Sequence, residues 1–244
     1  MALVSLFTVV AFSSCSNDRD NETDGGSSGR IEGNKLPASV ENGASYDSQI
    51  DLVKAEIWHE GNPGDSVLIP HTVATVPYSN GVFTLNLPES VDARYLEAMF
   101  YDDLPPSGVT VSNRNAKGAS VDLEAYKSDN NAGYIYCATG ADWVGRLVYM
   151  DADVSITGSY SETAYGIEYT YTSKYNIRFE RGWNMVYEKK TEKGTVTEYE
   201  ITTTAPAGLK WYVGYLADYH AFYYAYCYTH VRPASANQGI RFIK

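Results

Sequence analysis

The fold class is set by a stretch that reads YNIRFERGWNMVY over residues 175–187. Its first half alternates apolar and polar side chains, so that Tyr175, Ile177 and Phe179 fall on one side of the chain. Such a period of two is typical of a β-strand with one buried face. Gly182 ends a short charged turn, and Trp183 opens a second strand that returns the chain. The stretch therefore predicts two strands joined by a turn, with Trp183 packed in the core.

The same pattern recurs along the chain. Val53, Ala55 and Ile57 alternate with Lys54 and Glu56, and similar runs follow at spacings of about ten residues. Asn80-Gly81 is a two-residue turn signal, because type I′ turns need positive φ at both central positions. Many short strands with turn residues between them predict an all-β fold, an antiparallel β-sandwich over residues 46–212. The two prolines within 104–108 suggest a boundary there, which leaves one or two sandwich subdomains open.

Composition supports a β fold and excludes some partners. The 244 residues include 22 tyrosines, a residue type that favours a pleated, half-buried surface. The formal net charge is −11, so the phosphate backbone of a nucleic acid would repel the chain. The same charge argues against binding anionic lipid through a basic patch. We therefore expect no nucleic-acid partner.

The N-terminus has the features of an exported protein. Met1 to Phe12 is an uncharged, mostly apolar run, too short to span a bilayer, which takes roughly 20 residues. Ser13-Ser14-Cys15 follows it and resembles the lipobox of bacterial lipoproteins. The resemblance implies a signal peptide over residues 1–14 and lipid attachment at Cys15. It also implies an outer-membrane or cell-surface location, with the membrane as partner through the lipid anchor.

Residues 15–45 are interpreted as a flexible tether. They contain Gly25-Gly26-Ser27-Ser28-Gly29, many carboxylates and few large apolar side chains. Such a segment buries too little surface to offset its ordering entropy. Arg30 lies in this stretch and has two interpretations. It is either a solvated linker residue or a proteolytic processing site, as in the maturation of fimbrial precursors of Bacteroidetes.

Two stretches of the body resemble predicted surface lipoproteins of Bacteroidetes that have no assigned activity. The first runs over residues 83–88, and the second begins at Arg181-Gly182-Trp183-Asn184 and continues through residues 202–212. The resemblance covers about residues 50 to 212 and implies no functional residue. Residues 213–244 depart from it, because tyrosines crowd a segment that lacks strand alternation. We expect this tail to be poorly ordered, the alternative being an aromatic peptide that adds to a sheet edge.

The sequence nominates no catalytic residue, no metal ligands and no cofactor. None of the four histidines has metal-ligand spacing to another, and there is no GxSxG elbow and no P-loop. We therefore predict a protein that is not an enzyme. Paired carboxylates of a hydrolase could come from any of 30 acidic residues, so none can be chosen. Cys137 lies in an apolar run and is expected to be a buried free thiol rather than the partner of Cys227.

Two residues remain as candidates for contact or modification. Trp143 lies in the loop-like stretch 140–145, where an exposed indole ring could stack on a sugar. The alternative for Trp143 is a loop anchor packed on the sandwich. Asp65-Ser66-Val67 matches the short pattern of Bacteroidetes O-glycosylation, which makes Ser66 a candidate for that modification.

These observations favour a surface lipoprotein with a non-catalytic body for adhesion or for binding a glycan or a protein. The alternative is a fimbrial or structural assembly subunit matured by cleavage near Arg30. A secreted hydrolase is the third hypothesis.

Overall fold

The computed structural model describes residues 29–60, 68–99, 105–140, 142–163 and 169–214. Fourteen strands and three 3₁₀ turns lie within these ranges. The turns are Glu32–Asn34, Gly43–Tyr46 and Ala93–Tyr95. The strands are β1 Lys35–Ser39, β2 Leu52–Glu60, β3 Leu68–Pro77, β4 Val82–Asn86, β5 Glu97–Ala98, β6 Val109–Val111, β7 Lys117–Lys127, β8 Asn130–Thr139, β9 Trp143–Met150, β10 Val154–Thr163, β11 Thr170–Phe179, β12 Gly182–Lys193, β13 Val196–Thr202 and β14 Lys210–Gly214.

The strands form two sheets. β1 and β4 make a small antiparallel sheet. The other twelve strands make a large sheet in the order β3-β2-β7-β8-β9-β12-β13-β11-β10-β6, with β14 paired to β8 and β5 paired to β7. Its described ladders are antiparallel, apart from the parallel pair β11–β13. The predicted all-β sandwich is confirmed.

The first core lies between the small sheet and the inner face of the large sheet. Leu85 of β4, Val53 of β2, Leu147 of β9 and Trp183 of β12 are buried in it. The alternation that predicts the strands also explains this core, because every second side chain of each strand points to the same face.

The second core lies on the opposite face of the same large sheet. Val148 and Val186 are buried in it, although their neighbours along β9 and β12 point into the first core. β10, β11 and β13 complete the second core with Ile156, Phe179 and Ile201. The two cores thus share strands β9 and β12 and do not divide the chain at 104–108.

The Asn80-Gly81 turn forms as the sequence predicts. Both residues have positive φ, 53° and 75°. The carboxylate of Asp47 accepts hydrogen bonds from their backbone amides, at 2.9 Å and 3.3 Å. The flanking strands pair only at the bridge Ser79–Val82, because β3 continues into the large sheet and β4 into the small one. The turn therefore links two sheets instead of closing a regular hairpin.

The predicted tether extends too far along the chain. Leu36, Ala38 and Val40 are buried, and β1 pairs with β4 along its whole length. Gly29 accepts a 2.7 Å hydrogen bond from the amide of Met185, and the amide of Ile31 donates one of 2.8 Å to Trp183. Apolar residues at alternate positions bury this segment against the rest of the fold, and the folded body begins by Gly29.

Residues 175–187 form the end of β11, a turn and the start of β12, as the sequence predicts. The two strands run in opposite directions but are not neighbours, because β13 lies between them and pairs with both. At the other end of the body, Val213 and Gly214 belong to β14. The tail prediction for residues 215–244 lies outside the described residues.

Candidate functional site

The exposed apolar side chains of the body concentrate at one end of the β2–β3 hairpin. In the described residues, the large exposed apolar side chains are Trp58, Leu68, Ile69, Val82 and Tyr169. The first three lie within four residues of the chain reversal between β2 and β3, at 38%, 50% and 47% exposure. We call residues 57–60 and 68–71 the hairpin tip. By strand alternation Trp58 and Leu68 lie on one face of the hairpin and Ile69 on the other. Exposed apolar groups that cluster in this way are typical of interaction sites.

The hairpin tip projects from the sheet. The ladder between β2 and β7 ends at the pair Glu56–Asp122, whereas β2 pairs with β3 as far as Glu60. Over its last four residues, β2 is therefore held in the sheet by β3. Trp58 shares a face with Lys54 and Glu56, since side chains alternate along the strand. His59 shares the opposite face with Ile57.

A set of polar, partly buried side chains adjoins Trp58 on the same side of the sheet. It comprises Lys54, Glu56, Asp122, Glu124 and Tyr126, and we call it the outer face. Glu56 is only 2% exposed, and its Oε1 accepts a 3.0 Å hydrogen bond from the hydroxyl of Thr72 on β3. The ammonium of Lys54 lies 3.7 Å from the centre of the Tyr126 ring. Hydrogen bonds and a cation–π contact thus fix the side chains beside Trp58.

The hydroxyl of Tyr126 on β7 also contacts the carboxylate of Glu56. It lies 3.4 Å and 3.3 Å from the two carboxylate oxygens. Burial, followed by the charges of Glu56 and Glu124, raises the pKa of Tyr126 to about 12. The hydroxyl is therefore protonated at neutral pH and acts as the donor to Glu56.

Glu124 is the carboxyl group with a pKa near neutrality. Its Oε2 accepts a 2.6 Å hydrogen bond from the amide group of Asn131. Burial, with smaller contributions from the nearby carboxylates of Asp122 and Glu56, raises its pKa to about 7 despite the opposing effect of that hydrogen bond. Burial also raises the pKa of Asp122, although the guanidinium of Arg146 opposes the shift. These shifts follow from crowding acidic groups in a region of low exposure.

The carboxylates of Glu56 and Glu124 lack the solvent access that glycoside hydrolysis requires. A glycosidase holds its two carboxyl groups on either side of an open cleft that admits the substrate. Glu56 and Glu124 are 2% and 4% exposed, so a sugar chain cannot pass between them. In the described residues, no three His, Cys, Asp or Glu side chains are placed to hold a metal ion. The arrangement can store a proton at Glu124 and rigidify the outer face.

Tyrosines extend the outer face toward β14. Tyr136 of β8 stacks on Tyr212 of β14, with ring centroids 5.4 Å apart, and lies 5.4 Å from Tyr134. All three belong to the ladder that joins β8 and β14. The outer face therefore runs from Trp58 through carboxylates and hydroxyls to a row of aromatic rings.

The structure places the sequence candidates apart from this surface. Trp143 is the first residue of β9, not a loop residue, and it packs partly buried against the first core. The ammonium of Lys189 lies 5.9 Å from the centre of its ring. The backbone of Arg30 forms an isolated β-bridge with Asn184, and its guanidinium lies 3.1 Å from the carboxylate of Glu180. Cys15 and Ser66 lie outside the described residues.

Sequence reasoning missed Trp58, although its signal was present. The alternation that buries Val53, Ala55 and Ile57 puts Trp58 on the side of Lys54 and Glu56. Trp183 and Trp211 are buried, at 1% and 5% exposure, and Trp183 confirms the predicted core position.

A comparison with models of known protein families, with curated proteins and with solved structures finds no match to this chain in any of the three. In the described ranges no helix is long and apolar enough to cross a bilayer.

Proposed function

We propose that this chain is a lipid-anchored protein of the outer membrane or cell surface whose β-sandwich binds a ligand without catalysing a reaction. The Ser13-Ser14-Cys15 sequence after an apolar run supports the anchor. The observation that carries the binding function is the exposed hairpin tip, where Trp58 and Leu68 adjoin the ordered outer face. The burial of Glu56 and Glu124 supports a non-catalytic body.

The ligand is a glycan or a protein, and the two classes use different parts of the tip. A sugar ring stacks on a flat indole face and exchanges hydrogen bonds with nearby hydroxyls, which Thr72 and Tyr126 provide. A protein partner draws instead on apolar area, which Leu68 and Ile69 provide. Trp58 contributes to both modes, so its replacement by another apolar residue separates them.

The test is a glycan array, including mucin glycans, probed with the secreted full chain carrying Cys15→Ala. Glycan binding should be lost in both Trp58→Ala and Trp58→Leu, because Leu keeps apolar area but has no flat ring. Trp143→Ala is the matched control and should bind as the parent does. Loss in Trp143→Ala alone would move the site to Trp143. Absence of binding to every glycan would exclude the glycan version.

The alternative function is a structural assembly subunit cleaved near Arg30. The observation that favours it is the position of Gly29–Ile31, which lie against the edge of β12 where the ladder with β13 has ended. Removing residues up to Arg30 would open part of that edge to a strand of another subunit. Limited trypsin digestion followed by size-exclusion chromatography tests this. Oligomers should form after the cut in the parent but not in Arg30→Gln, and a persistent monomer after complete cleavage would exclude it.

A further inference from the structure

Three aromatic rings pack together behind the hairpin tip. The imidazole of His71 on β3 stacks on the ring of Tyr95, with centroids 3.9 Å apart and planes 15° from parallel. The imidazole of His59 on β2 contacts the same ring at 4.8 Å, tilted by 56°. Tyr95 ends the 3₁₀ turn Ala93–Tyr95 and also packs on the first core. The two histidines thus attach the hairpin tip to this turn.

This contact lies where the sheet gives the tip least support. The ladder of β2 with β7 stops at Glu56, before His59. Ile57 pairs with His71, and His59 pairs with Ile69. Both pairs lie in the part of the hairpin that β7 does not reach. A two-stranded ribbon is marginally stable in water unless it packs on something else. The packing of Tyr95 against His59 and His71 therefore stabilises the tip.

Charged groups around the rings determine what protonation does. The guanidinium of Arg94 lies 4.7 Å from the centre of the Tyr95 ring, and His59 faces the same ring from β2. Asp92 is the acidic group, and its carboxylate lies 3.3 Å from Nε of Arg94. A protonated His71 would add a second cation beside Arg94, whose own charge Asp92 offsets only in part.

Two effects of protonation oppose each other here. A cation stacked on a tyrosine ring gains a small cation–π attraction. Against it, burial lowers the pKa of His71, and the charges of Arg94 and His59 lower it further, with Asp92 opposing. Burial and repulsion therefore outweigh the attraction, and the packed state prefers a neutral His71.

We propose that His59, Tyr95 and His71 form a pH-sensitive clasp that holds the hairpin tip on the turn Ala93–Tyr95 when the imidazole of His71 is neutral and releases it when that imidazole is protonated. His71 binds its proton more readily once it leaves the ring stack, so acid shifts the equilibrium toward the released tip. The contribution of His71 is complete above about pH 6.5, the ordinary value for histidine, and is lost as the pH falls below it. Because the clasp is defined by its own contacts, it does not depend on which ligand Trp58 binds.

The test is amide hydrogen exchange of the full chain carrying Cys15→Ala, at pH 7.5 and pH 5.5, corrected for the intrinsic pH dependence of exchange. Leu96, whose amide donates to Ala93, reports on the turn, and the His59–Ile69 pair reports on the tip. Their protection should fall at pH 5.5 relative to pH 7.5, because the released state binds the proton of His71 more readily than the packed state. The β10–β11 ladder, in the second core, is the internal control and should not change. Unchanged protection at the tip and turn would overturn the proposal.

Two variants separate the clasp from general acid sensitivity. His71→Phe keeps a flat ring on Tyr95 but cannot be protonated, so the pH response should be reduced or abolished. Arg94→Gln removes a repelling cation, so the response should shrink while the stack remains. An undiminished response in His71→Phe would refute the clasp. If that variant does not fold, proton NMR titration of His71 in the parent decides, because its midpoint must lie below 6.5 and coincide with the loss of protection.

Discussion

The indole Nε1 of Trp183 donates a 2.6 Å hydrogen bond to the backbone carbonyl of Pro88. Trp183 belongs to β12 of the large sheet, whereas Pro88 lies two residues after β4 of the small sheet. The ring also meets Tyr149 of β9 edge to face, with centroids 5.1 Å apart. One side chain thus fills the first core and supplies a polar link between the two layers of the sandwich.

Replacing Trp183 should therefore be among the most destabilising changes in this protein. We expect Trp183→Ala to lower the free energy of unfolding by about 3–5 kcal/mol, because it leaves a large cavity. Trp183→Phe should cost less, although it leaves the Pro88 carbonyl without its donor. Guanidinium denaturation measures both. Trp143→Ala is the matched control and should cost less than Trp183→Ala, because Trp143 is only partly buried. A loss under about 1 kcal/mol for Trp183→Ala would contradict the burial.

Cys137 should be chemically inert in the folded protein. Its side chain is 0% exposed and lies in the first core. Reagents attack the thiolate, which burial in apolar surroundings suppresses. We expect no labelling of the Cys137 peptide by iodoacetamide under native conditions and full labelling in denaturant, read by mass spectrometry. Running the same experiment in Cys227→Ser removes the thiol of the C-terminal tail. Rapid native labelling, or a Cys137–Cys227 disulfide, would contradict this prediction.

The anchor prediction has an equally direct test. If Cys15 carries the lipid, Cys15→Ala should move the protein from the detergent phase to the aqueous phase in a detergent partition experiment. Cys137→Ala is the matched control and should stay in the detergent phase, because Cys137 is buried in the core. Partition of Cys15→Ala into detergent would refute lipid attachment at that residue.

The sequence was informative where a property depends on neighbours along the chain. Alternation predicts the strands and the burial of Trp183. The same alternation accounts for the exposure of Trp58, which the sequence analysis did not predict. The predicted end of the tether at residue 45 was wrong, because Leu36 and Ala38 are buried against β4. That strand lies about 50 residues further along the chain. Their alternation is short, and its meaning depends on a partner strand that local pattern does not identify.

The candidate site could not be assembled from sequence because it depends on strand order. Glu56 and Asp122 become neighbours only because β2 pairs with β7 in one register. Likewise, His59 and His71 converge on Tyr95 because a turn from beyond β4 folds back over the hairpin. Such convergences are set by packing between distant segments, which residue spacing does not encode.

The raised pKa of Glu124 makes the stability of the body depend on pH. Its pKa is about 7 in the folded protein, against an ordinary value of 4.5 for this side chain. Because the folded state binds the proton more tightly, the contribution of this group is complete below about pH 4.5. It is lost as the pH rises through about 7. At pH 8 the buried charge should therefore cost on the order of 2–3 kcal/mol relative to pH 4.5.

Glu124→Gln tests this prediction, because Gln has nearly the same shape, keeps an oxygen for Asn131 and carries no charge. We expect this variant to be more stable than the parent at pH 8, with the advantage shrinking toward pH 5, as measured by denaturant midpoints across that range. Glu89→Gln changes an exposed carboxylate and serves as the matched control, with little effect at either pH. Equal pH dependence in Glu124→Gln and the parent would show that Glu124 remains ionised in the fold. In that case Asp122, whose pKa burial also raises, would be the residue that holds the proton on the outer face.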